Sequence, residues 1–322
     1  MLAAVLAPLA LVPTWSGEPQ VDLLGTDVVV RAARFVPEGG WPARIGALQP
    51  VGAVRLTAAD PMRDGAFGSF SALVADRGAL TLLGDAGSFV RLGIAGGRVT
   101  TLASGSLPGG PGTGWSKLDR DSESLAVDPA TGRLWVGFER ANMVWRYAPG
   151  FARADKGVAP RAMRAWTSNS GAESLVRFRD GQFLVLPEGT DRTWRIWRGL
   201  LYRGDPTAAG VRPALFGYRP PRGFVPSDAA ELPDGDLLVL NRRFRRPLVF
   251  SAALVRIPRV AIRPGGFSTG RVIATLGPDV LGENAEGLAI TRERGATMVW
   301  IVTDNDGASW RPTILAKFRL LE

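Results

Sequence analysis

The sequence predicts an all-β chain folded as a single β-propeller of five or six four-stranded blades. Three observations carry this reading. Short apolar runs such as Leu134-Trp135-Val136-Gly137, Phe183-Leu184-Val185-Leu186 and Val299-Trp300-Ile301-Val302 are separated by Gly, Pro, Asp and Asn. Amphipathic helical stretches of a dozen residues are hard to find. A unit of about 50 residues recurs, close to the length of one propeller blade.

Each unit is a polar or acidic lead-in, an apolar strand, a turn bearing Asp or Gly, and a second apolar strand. Copies begin near residues 70, 121, 172, 227 and 285. Taking Ser71, Glu123, Glu173, Asp228 and Glu286 as equivalent gives spacings of 52, 50, 55 and 58 residues. Asp180-Gly181 and Asp234-Gly235 sit between paired apolar runs and predict tight hairpins with both central residues at φ > 0. Residues 21–60 hold enough β-type sequence for a sixth blade, or for a strand that closes the ring against residues 313–318.

Composition narrows the chemistry. The 322 residues include 40 Gly and 24 Pro but no Cys and no His. Triads and dyads that need an imidazole are therefore excluded, as are zinc, haem and iron–sulfur sites built on the usual ligands. A bound metal must be held by oxygen, which favours Ca²⁺ or Mg²⁺. Formal net charge is +9, and only Lys117, Lys156 and Lys317 of the 39 basic residues are Lys. Such a surface suits a small anionic or phosphorylated ligand. Nucleic acid is not expected: it needs basic residues interleaved with exposed aromatics along one face, and export argues against it.

Residues 2–12 are an unbroken apolar run, too short to span a bilayer. With small Thr14 and Ser16 near a cut point, residues 1–16 read as an export signal, although no Lys or Arg precedes the run. A buried first strand or helix is the competing reading. Residues 17–322 then form the propeller domain. They contain no transmembrane segment, and a monomer is expected.

The phrases Asp121-Ser122-Glu123-Ser124-Leu125-Ala126, Ser227-Asp228-Ala229, Leu240-Asn241-Arg242-Arg243-Phe244 and Glu283-Asn284-Ala285-Glu286-Gly287-Leu288 resemble the phytase-like family, also called "esterase-like activity of phytase". Thr303-Asp304-Asn305-Asp306 and Arg311-Pro312-Thr313-Ile314-Leu315 are similar to its closing blade. The resemblance runs from about residue 50 to 320. It implies an exported bacterial β-propeller, periplasmic or secreted, with phosphate- or carboxylic-ester activity.

The innermost strands of a propeller converge on one channel. Glu123, Glu173, Asp228 and Glu286 begin those strands, so up to four carboxylates are expected around one mouth. Like charges held together raise each other's pKa unless a cation intervenes, and Ca²⁺ accepts six to eight oxygen ligands. Asp304 joins the four as a candidate ligand. The second strands are expected to end in Asp76-Arg77, Glu139-Arg140, Glu188, Arg242-Arg243 and Asp304. From these, Arg77, Arg140, Arg242 and Arg243 are candidates to neutralise the ring or clamp a phosphate. The enzyme reading is Ca²⁺-assisted ester hydrolysis with Glu123, Glu173 and Glu286 as catalytic residues. One rival is a non-catalytic propeller that binds a ligand or protein partner through the same face. Another is a structural role in which the carboxylates accept backbone N–H groups and lock blades together.

Other motifs carry less. Gly266-Phe267-Ser268-Thr269-Gly270 matches a nucleophile elbow but has no His to serve it, and reads as a β-turn. The glycine-rich segment 109–114 lacks the Lys-Ser/Thr of a phosphate loop and reads as a mobile surface loop. The basic run 242–246 should send alternate side chains to opposite faces. Trp135, Trp145 and Trp300 are expected between blades. Trp194 and Trp197, which alternate with Arg, are candidates for cation–π stacking.

Overall fold

A computed structural model describes residues 22–167, 171–189 and 196–321. The expected export signal and Trp194 lie outside the described residues. Five antiparallel sheets stand around one axis as the blades of a propeller. Blade 1 is Phe70–Asp76, Ala79–Gly84, Ser88–Ala95 and Arg98–Ser106, from the channel outward. Blade 2 is Ser122–Val127, Leu134–Phe138, Met143–Tyr147 and Ala154–Val158. Blade 3 is Ala172–Arg177, Phe183–Pro187, Trp197–Tyr202 and Ala214–Tyr218. Blade 4 is Val225–Glu231, Leu237–Arg245, Val249–Ile257 and Arg271–Leu276.

Blade 5 joins the two ends of the chain. Its inner strands are Asn284–Glu293, Ala296–Asp304 and Thr313–Leu320, and the N-terminal segment adds Leu48–Ala58 and then Val30–Phe35. Leu48–Ala58 pairs antiparallel with Thr313–Leu320, with Val54 opposite Leu315. Of the two readings of residues 21–60, ring closure is therefore the one that holds, and there are five blades. The inner strands neighbour one another in sequence order, and that of blade 5 returns to that of blade 1.

Burial between blades holds the ring. Each junction has its own apolar cluster. Leu83 and Phe89 meet Val136 and Tyr147 between blades 1 and 2. Trp135 and Val144 meet Phe183 and Tyr202 between blades 2 and 3, with the Trp135 and Phe183 rings edge-to-face at 4.9 Å. Leu184 and Phe216 meet Val239 and Val255 between blades 3 and 4. Leu240 and Leu254 meet Ile301 and Phe318 between blades 4 and 5. Val302 and Leu315 meet Phe70 and Leu82 where the ring closes. The second strands of blades 1 to 3 are buried on both faces, which explains their continuous apolar runs.

Two expectations about loops change. Only the glycines of Asp180-Gly181 and Asp234-Gly235 have positive φ, at 84° and 92°. These are longer turns closed by Gly181 N–H to Phe178 C=O and Gly235 N–H to Leu232 C=O. Among the described residues, the two-residue hairpins with both central residues at positive φ are Arg77-Gly78, Gly96-Gly97 and Arg294-Gly295. Residues 266–270 contribute not a turn alone but a two-residue edge strand, Phe267–Ser268, parallel to blade 3 at Gly217-Tyr218.

A proline in the closing strand tests the clasp. Val54 lies in a strand paired on both sides, so Val54→Pro removes a ladder hydrogen bond and forces φ in mid-sheet. The expected cost is about 3 kcal/mol or more, read as a melting temperature lower by about 6–12 °C. An unchanged melting curve would mean that the two ends do not close the ring.

Candidate functional site

Every inner strand carries a β-bulge at the same place. The register skips one residue at Ser71, Glu123, Glu173, Ser227 and Glu286. A bulge leaves the extra residue unpaired and re-aims its side chain. Three of the five bulged residues are Glu. Two residues before each bulge, the partner strand contributes a second tier, which reads Asp85, Glu139, Glu188, Arg242 and Asp304 around the ring. All of these but Ser227 line a cavity of about 220 Å³ at one mouth of the channel, with Asn284 and Asp306. Eight carboxyl groups and one guanidinium face that space.

The local sequence makes the approach close. A Cβ at Gly171 would lie 2.3 Å from Glu139 Cα, so only glycine lets the start of blade 3 pass this near blade 2. The Gly171 N–H also points at Glu139 Oε1, at 3.5 Å. As a result Glu139 stands in two groups. Its carboxylate oxygen lies within 4.8 Å of those of Asp121 and Glu123, and likewise of those of Glu173 and Glu188.

Arg242 is the cation inside the cavity. Its Nε is 3.1 Å from Glu286 Oε1 and its Nη2 is 2.5 Å from Glu188 Oε1. Glu286 above all holds the guanidinium charged, against the opposing effect of burial. The carboxyl groups move the other way. Burial, then Asp121 and Glu188, pushes Glu139 up to about 7. Burial pushes Glu286 to about 7 as well, although Arg242 pulls it back. Asp304 rises to about 9 through burial, then its hydrogen bond with Asp306. Burial and neighbouring carboxylates place Glu123 and Glu173 well above the ordinary range.

Of the residues singled out from sequence, Glu123, Glu173, Glu286, Asp304 and Arg242 meet in this cavity. Asp228 does not. The bulge falls on Ser227, one residue earlier, and the Ser227 hydroxyl donates to Ala285 C=O at 2.9 Å. Asp228 instead accepts from Leu288 N–H and Ala229 N–H, both at 2.7 Å, and from the Leu73 amide. One carboxylate thus ties blade 4 to blades 5 and 1, the blade-locking role considered for the whole ring. Arg77 is also displaced. It occupies the hairpin at the opposite end of blade 1, reaching Pro129 and Ala130 carbonyls. Asp85 takes the expected place at the end of the second strand.

Arg140 lies on the rim, donating through Nε to Asp121 at 2.9 Å. Arg243 faces away from Arg242, 4.5 Å over the Phe224 ring. The residues missed from sequence are Asp85, Asp121, Lys117 and Asp306, and Glu139 and Glu188 are expected there only as strand ends and not as ligands. Lys117 is ion-paired with Asp85, and Asp306 with Arg311. Lys117 belongs to the loop that holds the glycine-rich segment, which is pinned rather than loose. Asp119 accepts from Thr113 N–H at 3.0 Å and Gly114 N–H at 2.9 Å, and the Tyr147 hydroxyl donates to Gly109 C=O at 2.7 Å. The repeat pattern could have found Asp85, since it follows the strand Ala79–Gly84 as Glu139 follows Leu134–Phe138.

Two outcomes follow from these groups. Asp228→Ala strands the Leu288 and Leu73 amides in a dry centre. It should cost at least about 3 kcal/mol, seen as a melting temperature about 5–10 °C lower; a neutral effect would show that the tie is not needed. The raised carboxyls bind protons more tightly in the folded than in the unfolded chain. Their contribution to stability is thus complete below about pH 4.5, and is lost as pH rises through about 7 for Glu139 and Glu286 and about 9 for Asp304. In EDTA, melting temperature should fall between pH 5.5 and 8.5, and Glu139→Gln should flatten part of the slope. A rise with pH would contradict the assignment.

Residues 65–307 match the model of a family described as "Phytase-like: Esterase-like activity of phytase". No curated protein matches the chain. Among solved structures, a luciferin-regenerating enzyme is 11% identical with a TM-score of 0.42, over 91% of this chain and 95% of its own. A chain of a nidogen/laminin complex is 10% identical with a TM-score of 0.41, over 90% and 96%. The WD40 domain of Neurospora crassa Pan2 is 10% identical with a TM-score of 0.38, over 87% and 97%.

Proposed function

We propose that this chain, which belongs to the phytase-like (esterase-like activity of phytase) family, holds Ca²⁺ in the acidic mouth of its channel and there hydrolyses an ester, with phosphate esters as the leading substrate class. The observation that carries this reading is the pair of carboxylate groups sharing Glu139. Asp121, Glu123 and Glu139 would hold one ion, and Glu139, Glu173 and Glu188 a second. All the donors are hard oxygens, the set Ca²⁺ takes. A phosphate ester could not approach eight carboxyl groups unaided, so cation binding precedes substrate binding in this scheme.

Bound there, Ca²⁺ would polarise the ester and favour ionisation of a water. The chain's own groups do the rest. Arg242, fixed by Glu286 and Glu188, presents a guanidinium to charge developing on the ester oxygens. Glu286, with its carboxyl held near 7, is the group suited to carry a proton at neutral pH. Asp304, pushed to about 9, keeps its proton and limits the negative charge at its side of the cavity. The space of about 220 Å³ admits an ester head and a few waters but not a large body. The export signal proposed for residues 1–16 would place the protein in the periplasm or outside the cell, where a weak Ca²⁺ site can fill. No helix among the described residues is long and apolar enough to cross a membrane.

Product release from a panel of phosphate and carboxylic esters, with Ca²⁺ and then with EDTA, tests the reading. Turnover should require Ca²⁺. Glu173→Gln should lower it about 10- to 100-fold while the melting temperature in EDTA holds or rises, because a carboxyl that burial already keeps from ionising is replaced by a neutral amide. Turnover that survives EDTA and Glu173→Gln, or none from any ester, would overturn it.

A further inference from the structure

Beside the acidic mouth a second space of about 570 Å³ runs between blades 5 and 1. Asp85 lines both, so the two spaces meet at that carboxylate and at its partner Lys117. The character changes there. The first space is walled by carboxyl groups, whereas the second sets Pro61, Phe67, Trp310 and Pro312 beside charged groups such as Arg55, Asp64 and Lys117. Its volume falls in the range that encloses small organic ligands.

Trp310 is the unusual wall. Its side chain is 72% exposed, although the next residue, Arg311, is buried and fully engaged. Arg311 pairs with Glu283 at 2.7 Å and with Asp306, and it lies 4.6 Å over the Phe250 ring. Asn305 anchors the same loop to blade 1 by accepting from Ser69 N–H at 2.8 Å. The loop is thus held on both sides of an indole that is left open to the groove. Phe67, which lines the same groove, is set edge-to-face on Phe70 at 5.2 Å. An exposed indole on a fixed loop, lining the same groove as the Phe67 ring, is a stacking surface for a flat ring.

The cations near the groove narrow the class further. Arg311 is taken by Glu283 and Asp306, Arg55 acts electrostatically on Glu283, and Lys117 is paired with Asp85. Nothing there is arranged to receive several phosphates. We propose that this groove binds the leaving group of the substrate, and that the substrate is a phosphate monoester of an aromatic alcohol: its single anionic head lies in the carboxylate mouth and its ring on Trp310. This rests on the mouth being the place of ester cleavage, as set out above.

The test is equilibrium binding of two non-hydrolysable probes, phenylphosphonate and methylphosphonate, to the Ca²⁺-loaded full-length protein. Phenylphosphonate should bind at least about fivefold more tightly. Trp310→Ala should bring the ratio of the two dissociation constants close to one, and Trp310→Phe should keep most of it. Circular dichroism checks that the variants fold, as the exposure of this residue allows. Equal affinities in the wild type, a preference that survives Trp310→Ala, or binding of neither probe would overturn the groove assignment. Ca²⁺-dependent turnover of methyl phosphate without an aryl preference would refute the groove and keep the hydrolase. An aryl preference without turnover of any ester would refute the hydrolase and keep the groove as a binding site.

Discussion

Repulsion among carboxyl groups in one partly dry space is the constraint on which the rest of this molecule turns. Eight of them share a cavity of about 220 Å³ with a single guanidinium. Burial first, and the nearness of the other carboxyl groups second, keep them from all ionising without a counter-ion, and the upward shifts of Glu139, Glu286 and Asp304 express that. The chain as a whole is basic, with a net charge of +9. Its excess Arg is spent elsewhere, on rim and blade-edge pairs such as Arg146–Asp205 and Arg256–Asp236. The acidic mouth is therefore local in origin, made by five strand ends and independent of overall composition.

A fold can tolerate such a site only if its stability comes from somewhere else. Here it comes from the five apolar junctions between blades and from the clasp that joins residues 48–58 to residues 313–320. Asp228 adds a polar tie at the centre, where its carboxylate joins three blades through backbone N–H groups. The same residue type thus serves two ends. Carboxylates on a bulge face the cavity, whereas one displaced by a single residue turns inward and bonds to backbone.

That one-residue difference marks where sequence reading stops. Blade number within one, the closing strand and the inner-strand Glu residues were legible, because strand runs and the roughly 50-residue period are patterns along the chain. Bulges are not. Aligning Asp228 with Glu123 kept the acidic residues in line, but the register places Ser227 there. Blade 1 misled for a related reason. Asp76-Arg77 is a hairpin at the far end, and Asp85 was passed over because the first repeat was matched by one strand alone. Lys117 and Asp121 reach the rim from a connecting loop, which carries no periodic signal. The glycine-rich segment 109–114 reads as mobile from sequence, yet Asp119 organises it through contacts that spacing cannot reveal. The Asp-Gly hairpins failed because a longer loop needs positive φ at the glycine only.

The most direct measurement is a calorimetric titration of the EDTA-stripped protein with Ca²⁺, made at one pH in two buffers of different ionisation enthalpy. Binding should be saturable, should release protons to the buffer as raised carboxyls ionise, and should weaken sharply in Glu139→Gln, the residue shared by both carboxylate groups. Absence of binding, or binding that Glu139→Gln leaves untouched, would contradict the account.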